Sequence, residues 1–118
     1  MKIPSTRLSL GQRGEQIVCD NMLNRGYRIL ERNLRYKFGE IDIVAEKNHT
    51  LCFVEVRTRE NADLGHPLET ISVNKQKRIR RAAEAFISRR HINNYAIRFD
   101  VAFILWSTME YGYVENAF

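Results

Sequence analysis

Glu40, Asp42 and Glu55, with Arg57 just past the last of them, fall in one stretch, GEIDIVAEKNHTLCFVEVRTR, residues 39–59. Two alternating apolar runs, Ile41 to Ala45 and Leu51 to Val56, flank residues 46–50, which is the pattern of a β-hairpin. Asn tolerates φ > 0 in a tight turn. With Asn48 and His49 as the turn pair, Ile43 faces Val54, Ile41 faces Val56 and Ala45 faces Cys52, so one face is wholly apolar. The other face carries Glu40, Asp42, Val44 and Glu46 against Leu51, Phe53, Glu55 and Arg57, with Asp42 across from Glu55 and Glu40 across from Arg57. Facing carboxylates repel, and an oxygen-seeking cation such as Mg²⁺, Mn²⁺ or Ca²⁺ between them removes the repulsion. A solvated charged face, with Glu40 paired to Arg57 and Asp42 exposed, is the other reading, and spacing leaves both open.

The elements that must position these acids belong to a chain of 118 residues, enough for one compact domain with one core. Nineteen Lys and Arg against fourteen Asp and Glu give a net charge of +5, which favours a polyanionic partner. Cys19 and Cys52 lie at apolar-pattern positions without metal-ligand spacing. They read as buried free thiols in a reducing compartment, not as a zinc site or a disulfide. No stretch has the length of a membrane span or an N-terminal signal core, so a cytoplasmic protein with no membrane partner is expected.

Residues 1–9 form a short arm, and Pro4 argues against a helix starting before it. From Leu10 to Arg25 the residues Leu10, Ile17, Val18, Met22 and Leu23 recur at helical spacing, with Gly26 as the terminating residue. Glu15 lies near the edge of the buried stripe; alone it would read as an exposed acid favoured by the helix dipole. Gly11 and Gly14 are poor helix formers and suggest close approach by another backbone or a phosphate. Tyr27 to Leu34 reads as a strand, followed by Arg35 and Lys37. Residues 59–71 form a loop with Asn61, Gly65 and Pro67 as turn residues, and His66 in it has no spaced partner for a metal.

From Ser72, an N-cap, to Arg90 a second helix carries Lys75, Lys77, Arg78, Arg80, Arg81, Arg89 and Arg90 on its polar side against Glu84 alone. That is a phosphate-contacting surface or an ordinary basic helix. Ile97 to Leu105 alternates as a strand in which Asp100 is a further charged neighbour of the site or pairs with Arg98 or another base, and Met109 to Ala117 supplies a last, weaker strand. Trp106 and the tyrosines do not repeat as a base-stacking platform and read as packing. The order αβββαββ predicts an α/β fold with a mixed five-stranded sheet flanked by helices. The crossover through the basic helix makes the strands on either side of it parallel.

GEIDIVA, a short turn and FVEVRTR, preceded by GQRGE and followed by the basic helix and RFDVAFI, resemble the YraN-type family of predicted endonucleases. That family is related to archaeal Holliday-junction resolvases and the PD-(D/E)XK nuclease superfamily, and the resemblance covers nearly the whole chain. It implies a restriction-endonuclease-like fold, with residues 1–118 as a single nuclease-like domain. It also implies hydrolysis of phosphodiester bonds in DNA, branched or structured DNA included, with Mg²⁺ or Mn²⁺ as cofactor. By position, Asp42 and Glu55 match the paired metal-binding acids and Glu15 the helix acid that joins them, while Glu40 falls at an accessory position. Lys75, with Lys77, Arg78 and Arg81, lies where a basic helix would meet nucleic acid. Arg57 replaces the superfamily's lysine; because arginine stays protonated, it can orient and neutralise charge, and proton removal falls to the metal-bound water. Related resolvases act as dimers, which implies a homodimer, with the last strand as the candidate edge. Two other readings stand beside the enzyme: a non-catalytic nucleic-acid-binding module on the same fold, and an adaptor whose acidic cluster only forms salt bridges.

Overall fold

The computed structural model describes residues 9–67 and 71–118; most of the N-terminal arm and part of the 59–71 loop lie outside them. Helix α1 spans Leu10–Asn24. Ser9 caps it reciprocally, its hydroxyl accepting from the Gln12 N–H at 3.1 Å while the Gln12 side chain accepts from the Ser9 N–H at 2.9 Å. At the other end Gly26, at φ +89°, is the residue after the cap. The Gly26 N–H donates to Leu23 and the Tyr27 N–H to Met22, which satisfies the last carbonyls and turns the chain into β1.

The strands are β1 (Arg28–Tyr36), β2 (Gly39–Lys47), β3 (Thr50–Arg59), β4 (Ala96–Leu105) and β5 (Glu110–Val114), ordered in space as in sequence. Asn48 and His49 both take positive φ, the tight hairpin turn expected of them, and the pairs Ile43/Val54 and Ala45/Cys52 form as the alternation requires. After β3 the chain crosses over through helix α2 (Val73–Arg89), and β4 lies parallel to β3 along its whole length. β5 returns antiparallel to β4. The result is an open mixed sheet with one helix on each face.

Alternation along the strands divides the core. Ile43, Ala45, Cys52, Val54, Ala102 and Ile104 pack under Val18, Cys19 and Met22 of α1. Val44, Leu51, Phe53 and Phe99 pack under Ile79, Ala82, Ala83 and Phe86 of α2. Cys19 and Cys52 are buried free thiols, and burial pushes Cys52 up to about 12. Trp106, Tyr111 and Tyr113 pack against the α1-side core, as expected. Asp100, fully buried, is held by Arg98 at 3.0 Å and by the Tyr113 hydroxyl at 2.6 Å.

Three expectations are corrected. Leu10, Ile17 and Leu23 are exposed, and the buried stripe of α1 is Gly14, Glu15, Val18, Cys19 and Met22, because the glycine side of the helix is the one that can lie close to the sheet. The charged face of the hairpin is not open to water along its length, since α2 covers Val44, Leu51 and Phe53. Ile41 joins that same α2-side core instead of the face of Ile43, so the alternation of β2 breaks at Asp42.

Gly39 marks where α2 rests on the sheet: a Cβ there would overlap the Arg78 carbonyl oxygen. Gly39→Ala is therefore expected to cost about 1–3 kcal/mol in urea unfolding. Gly11→Ala, whose Cβ would meet nothing nearer than 3.9 Å, is expected to leave stability unchanged or raise it by up to about 1 kcal/mol.

Candidate functional site

The main-chain pairing of β2 with β3 runs from Lys47/Thr50 to Ile43/Val54. One residue further along, the Asp42 carboxylate reaches across and accepts the Val56 N–H at 2.8 Å. Asp42 is thus not a side chain standing on a sheet face opposite Glu55. It replaces a main-chain acceptor at the point where the ladder ends. Glu55, only 8% exposed, faces the α2 side one residue away, and the Lys75 ammonium lies 2.6 Å from its carboxylate. The Ser72 hydroxyl accepts the Lys75 N–H at 3.2 Å, so the cap that starts α2 also fixes the turn from which Lys75 reaches Glu55.

Glu15 enters from the other helix. Gly14 lets α1 settle on β3, since a Cβ there would overlap the methyl group of Thr58. The close neighbour is a side chain, where another backbone was one expectation for this glycine, and Gly11 has no protein neighbour nearer than 3.9 Å. Glu15 is 8% exposed and accepts from Arg32 at 3.2 and 3.3 Å and from Asn33 at 2.9 Å. Among the described residues, no three His, Cys, Asp or Glu side chains stand close enough together to hold an ion. The expected three-acid shell of Asp42, Glu55 and Glu15 is therefore not assembled, because Glu15 is drawn to β1 by Arg32 and Asn33.

The three acids remain coupled through their charges. Burial raises Asp42 from its ordinary 3.8 to about 7, and the negative charges of Glu55 and Glu15 push it the same way. The Val56 N–H and the Lys75 ammonium oppose the shift without cancelling it.

The period-two spacing of β3 carries Glu55, Arg57 and Arg59 to one side. Together with Val56, Thr58 and Lys75 they line an open cleft of about 280 Å³. Glu40 lies outside this cleft. It is exposed, sits opposite Arg35 in the β1 register and approaches it at 3.8 Å, so β1 supplies the partner expected from Arg57. The bases of α2 do not share one face. Lys75 and Arg78 line a second cleft and Arg81 lies over Phe38 at 4.6 Å. Arg80 turns to the β4 flank over Phe99 at 4.4 Å, and Arg90 pairs with Glu31 at 2.7 Å. Lys77 is exposed. His66 stands 3.6 Å from Glu110.

Arg59, Arg32, Asn33 and the Val56 N–H were not singled out by sequence. Arg59 was within reach of the same alternation that places Arg57. Arg32 and Asn33 were not, because the bulge in β1 between Ile29 and Glu31 and the positive φ of Asn33 set their directions.

An acid whose folded-state pKa is raised binds its proton more tightly when folded. Its contribution is greatest at low pH and is lost as pH rises from the ordinary carboxylate range through about 7. Asp42→Asn, which keeps an acceptor for the Val56 N–H, is expected to be more stable than the wild type at pH 8, by on the order of 3 kcal/mol. That advantage should vanish below about pH 4; urea unfolding of both proteins across this range measures it.

The family model for the uncharacterised protein family UPF0102 matches residues 14–104 of this chain, which hold Glu15, Asp42, Glu55, Arg57 and α2. A UPF0102 protein of Alkaliphilus metalliredigens is 43% identical over 111 residues, covering 93% of this chain and 97% of the relative. Relatives from Dictyoglomus turgidum and Prosthecochloris aestuarii are 41% and 47% identical over 113 and 107 residues, covering 92% and 91% of this chain and 96% and 84% of their own lengths. The chain is thus a member of the uncharacterised protein family UPF0102.

Proposed function

We propose that this chain is a metal-dependent DNA endonuclease of the restriction-endonuclease-like fold, as its resemblance to the YraN-type family implies, acting in the cytoplasm. The observation that carries the reading is a pair of carboxylates at a break in the sheet, a half-buried Asp42 and a buried Glu55, the second of which lines a cleft with three cations. An acid held up at about 7 by burial and by neighbouring acids is one that a divalent cation would return to its charged form. The donors are all oxygens, as Mg²⁺ and Mn²⁺ prefer, and Mg²⁺ is commonly held by one or two carboxylates with waters and substrate phosphate completing its shell. Asp42 and Glu55 would hold it, and the bound ion would supply an activated water and polarise the scissile phosphate.

The remaining work falls to the chain's own groups. Arg57 and Arg59 neutralise charge on the phosphate; Arg57 stays protonated and orients without taking a proton. Lys75 holds the Glu55 carboxylate at 2.6 Å and is placed to pass to a phosphate once that carboxylate has another partner. Glu15 acts through its charge on Asp42 and by holding Arg32. Lys77, Arg78 and Arg81 extend the positive surface along which a DNA backbone would run. Paired cuts would call for a homodimer. A binding module without cleavage is the second reading, favoured by Arg57 and by the two-acid site.

Labelled duplex, single-stranded, flap and four-way-junction DNA, incubated with Mg²⁺, Mn²⁺ or chelator, tests the proposal. Cutting is expected only with metal, and at least about a hundredfold less in Asp42→Ala and Glu55→Gln made identically. Mobility shifts that all three proteins share, with no cut product, would replace the enzyme by the binding module.

A further inference from the structure

The second cleft, of about 360 Å³, lies between the β1–β2 turn and α2. Tyr36, Lys37, Phe38, Glu40, Lys75 and Arg78 are among the residues that line it. The Tyr36 and Phe38 rings lie 5.3 Å apart and within 14° of parallel. Each carries a guanidinium from α2, Arg89 at 4.7 Å from Tyr36 and Arg81 at 4.6 Å from Phe38. Arg81 and Arg89 lie outside the lining and hold the rings, which also pack in part on the α2-side core. A phosphate backbone needs only the cleft's cations, whereas the ring surface that Tyr36 and Phe38 leave to the cleft is what a base needs. Lys75 lines this cleft and the Glu55 cleft alike, so the two are neighbours across one side chain. The contact of Gly39 with the Arg78 main chain fixes the turn that carries both rings against the helix, so the walls are held in place before any ligand arrives.

Bases in a duplex are paired and stacked on each other, and only an unpaired nucleotide can place its base in such a cleft. We infer that the cleft receives one unpaired nucleotide of a DNA strand whose neighbouring phosphate lies at Asp42 and Glu55, so the substrate is DNA with a single-stranded segment at the cut. This rests on the endonuclease reading of the adjacent site. Glu40 at the rim supplies an acceptor for an exocyclic amine of the base.

Binding measured by fluorescence anisotropy in chelator tests this without cutting. The probes are a single strand, a blunt duplex of equal length and the same duplex with a single-stranded tail. The single strand and the tailed duplex are expected to bind on the order of tenfold tighter than the blunt duplex. Phe38→Leu and Tyr36→Leu, which keep apolar bulk, should each lose on the order of tenfold for those two probes and nothing for the blunt duplex. Arg78→Ala should weaken all three alike. The wild type provides a check free of folding effects: 2-aminopurine in the tail should be quenched on binding.

Equal affinity for the three probes, an unquenched 2-aminopurine, or ring variants that weaken every probe equally would each overturn the inference. If metal-dependent cutting persists in that case, the cleft assignment alone falls. If the wild type binds no DNA at all, both fall.

Discussion

The contact between the Asp42 carboxylate and the Val56 N–H, at 2.8 Å, is the one on which the rest of the site depends. A continuing ladder would satisfy that N–H with main chain and leave Asp42 on a face. Here the side chain takes the bond and Ile41 is released to the α2-side core. The carboxyl group is drawn between two strands, close to the charges of Glu55 and Glu15. Burying acids this way costs stability unless they are paired, and the pairing comes from two elements, Lys75 of α2 for Glu55 and Arg32 of β1 for Glu15.

That division explains why the two helices differ in composition where they meet the sheet. Gly14 brings α1 down to Thr58, and Gly39 brings the sheet up to α2. Ser9 and Ser72 cap the two helices, and each cap precedes the turn that carries a residue toward the acids. The site is therefore positioned by close approaches and caps, and the apolar core beneath it supplies the cohesion.

Much of this was legible in the sequence because it rests on short-range rules. Period-two alternation with Asn48-His49 between the runs set the hairpin register, and Ser72 with the apolar spacing of Ile79, Ala82, Ala83 and Phe86 set α2. The parallel β3/β4 pair followed from the length of the crossover. What escaped depends on geometry that spacing does not carry. The break at Asp42 needs knowledge that a side chain takes a ladder bond, and the Glu15–Arg32 pair needs a bulge in β1. Glu40 paired with Arg35 because an edge strand not counted in the hairpin lay beside it. The basic helix was recognised by composition, but aromatic neighbours on two flanks divide its arginines in a way no helical pattern specifies.

In the proposed function a divalent cation relieves the unfavourable charge of Asp42 and Glu55. Calorimetric titration of Mn²⁺ into wild-type protein at pH 6.5, repeated in two buffers of different ionisation enthalpy, tests it most directly, because an ion that takes the place of the Asp42 proton must release it to the buffer. Saturable uptake with roughly half a proton or more released per ion is expected, and neither uptake nor buffer dependence in Asp42→Asn. Heats that are absent in the wild type, or identical in the mutant, would contradict it.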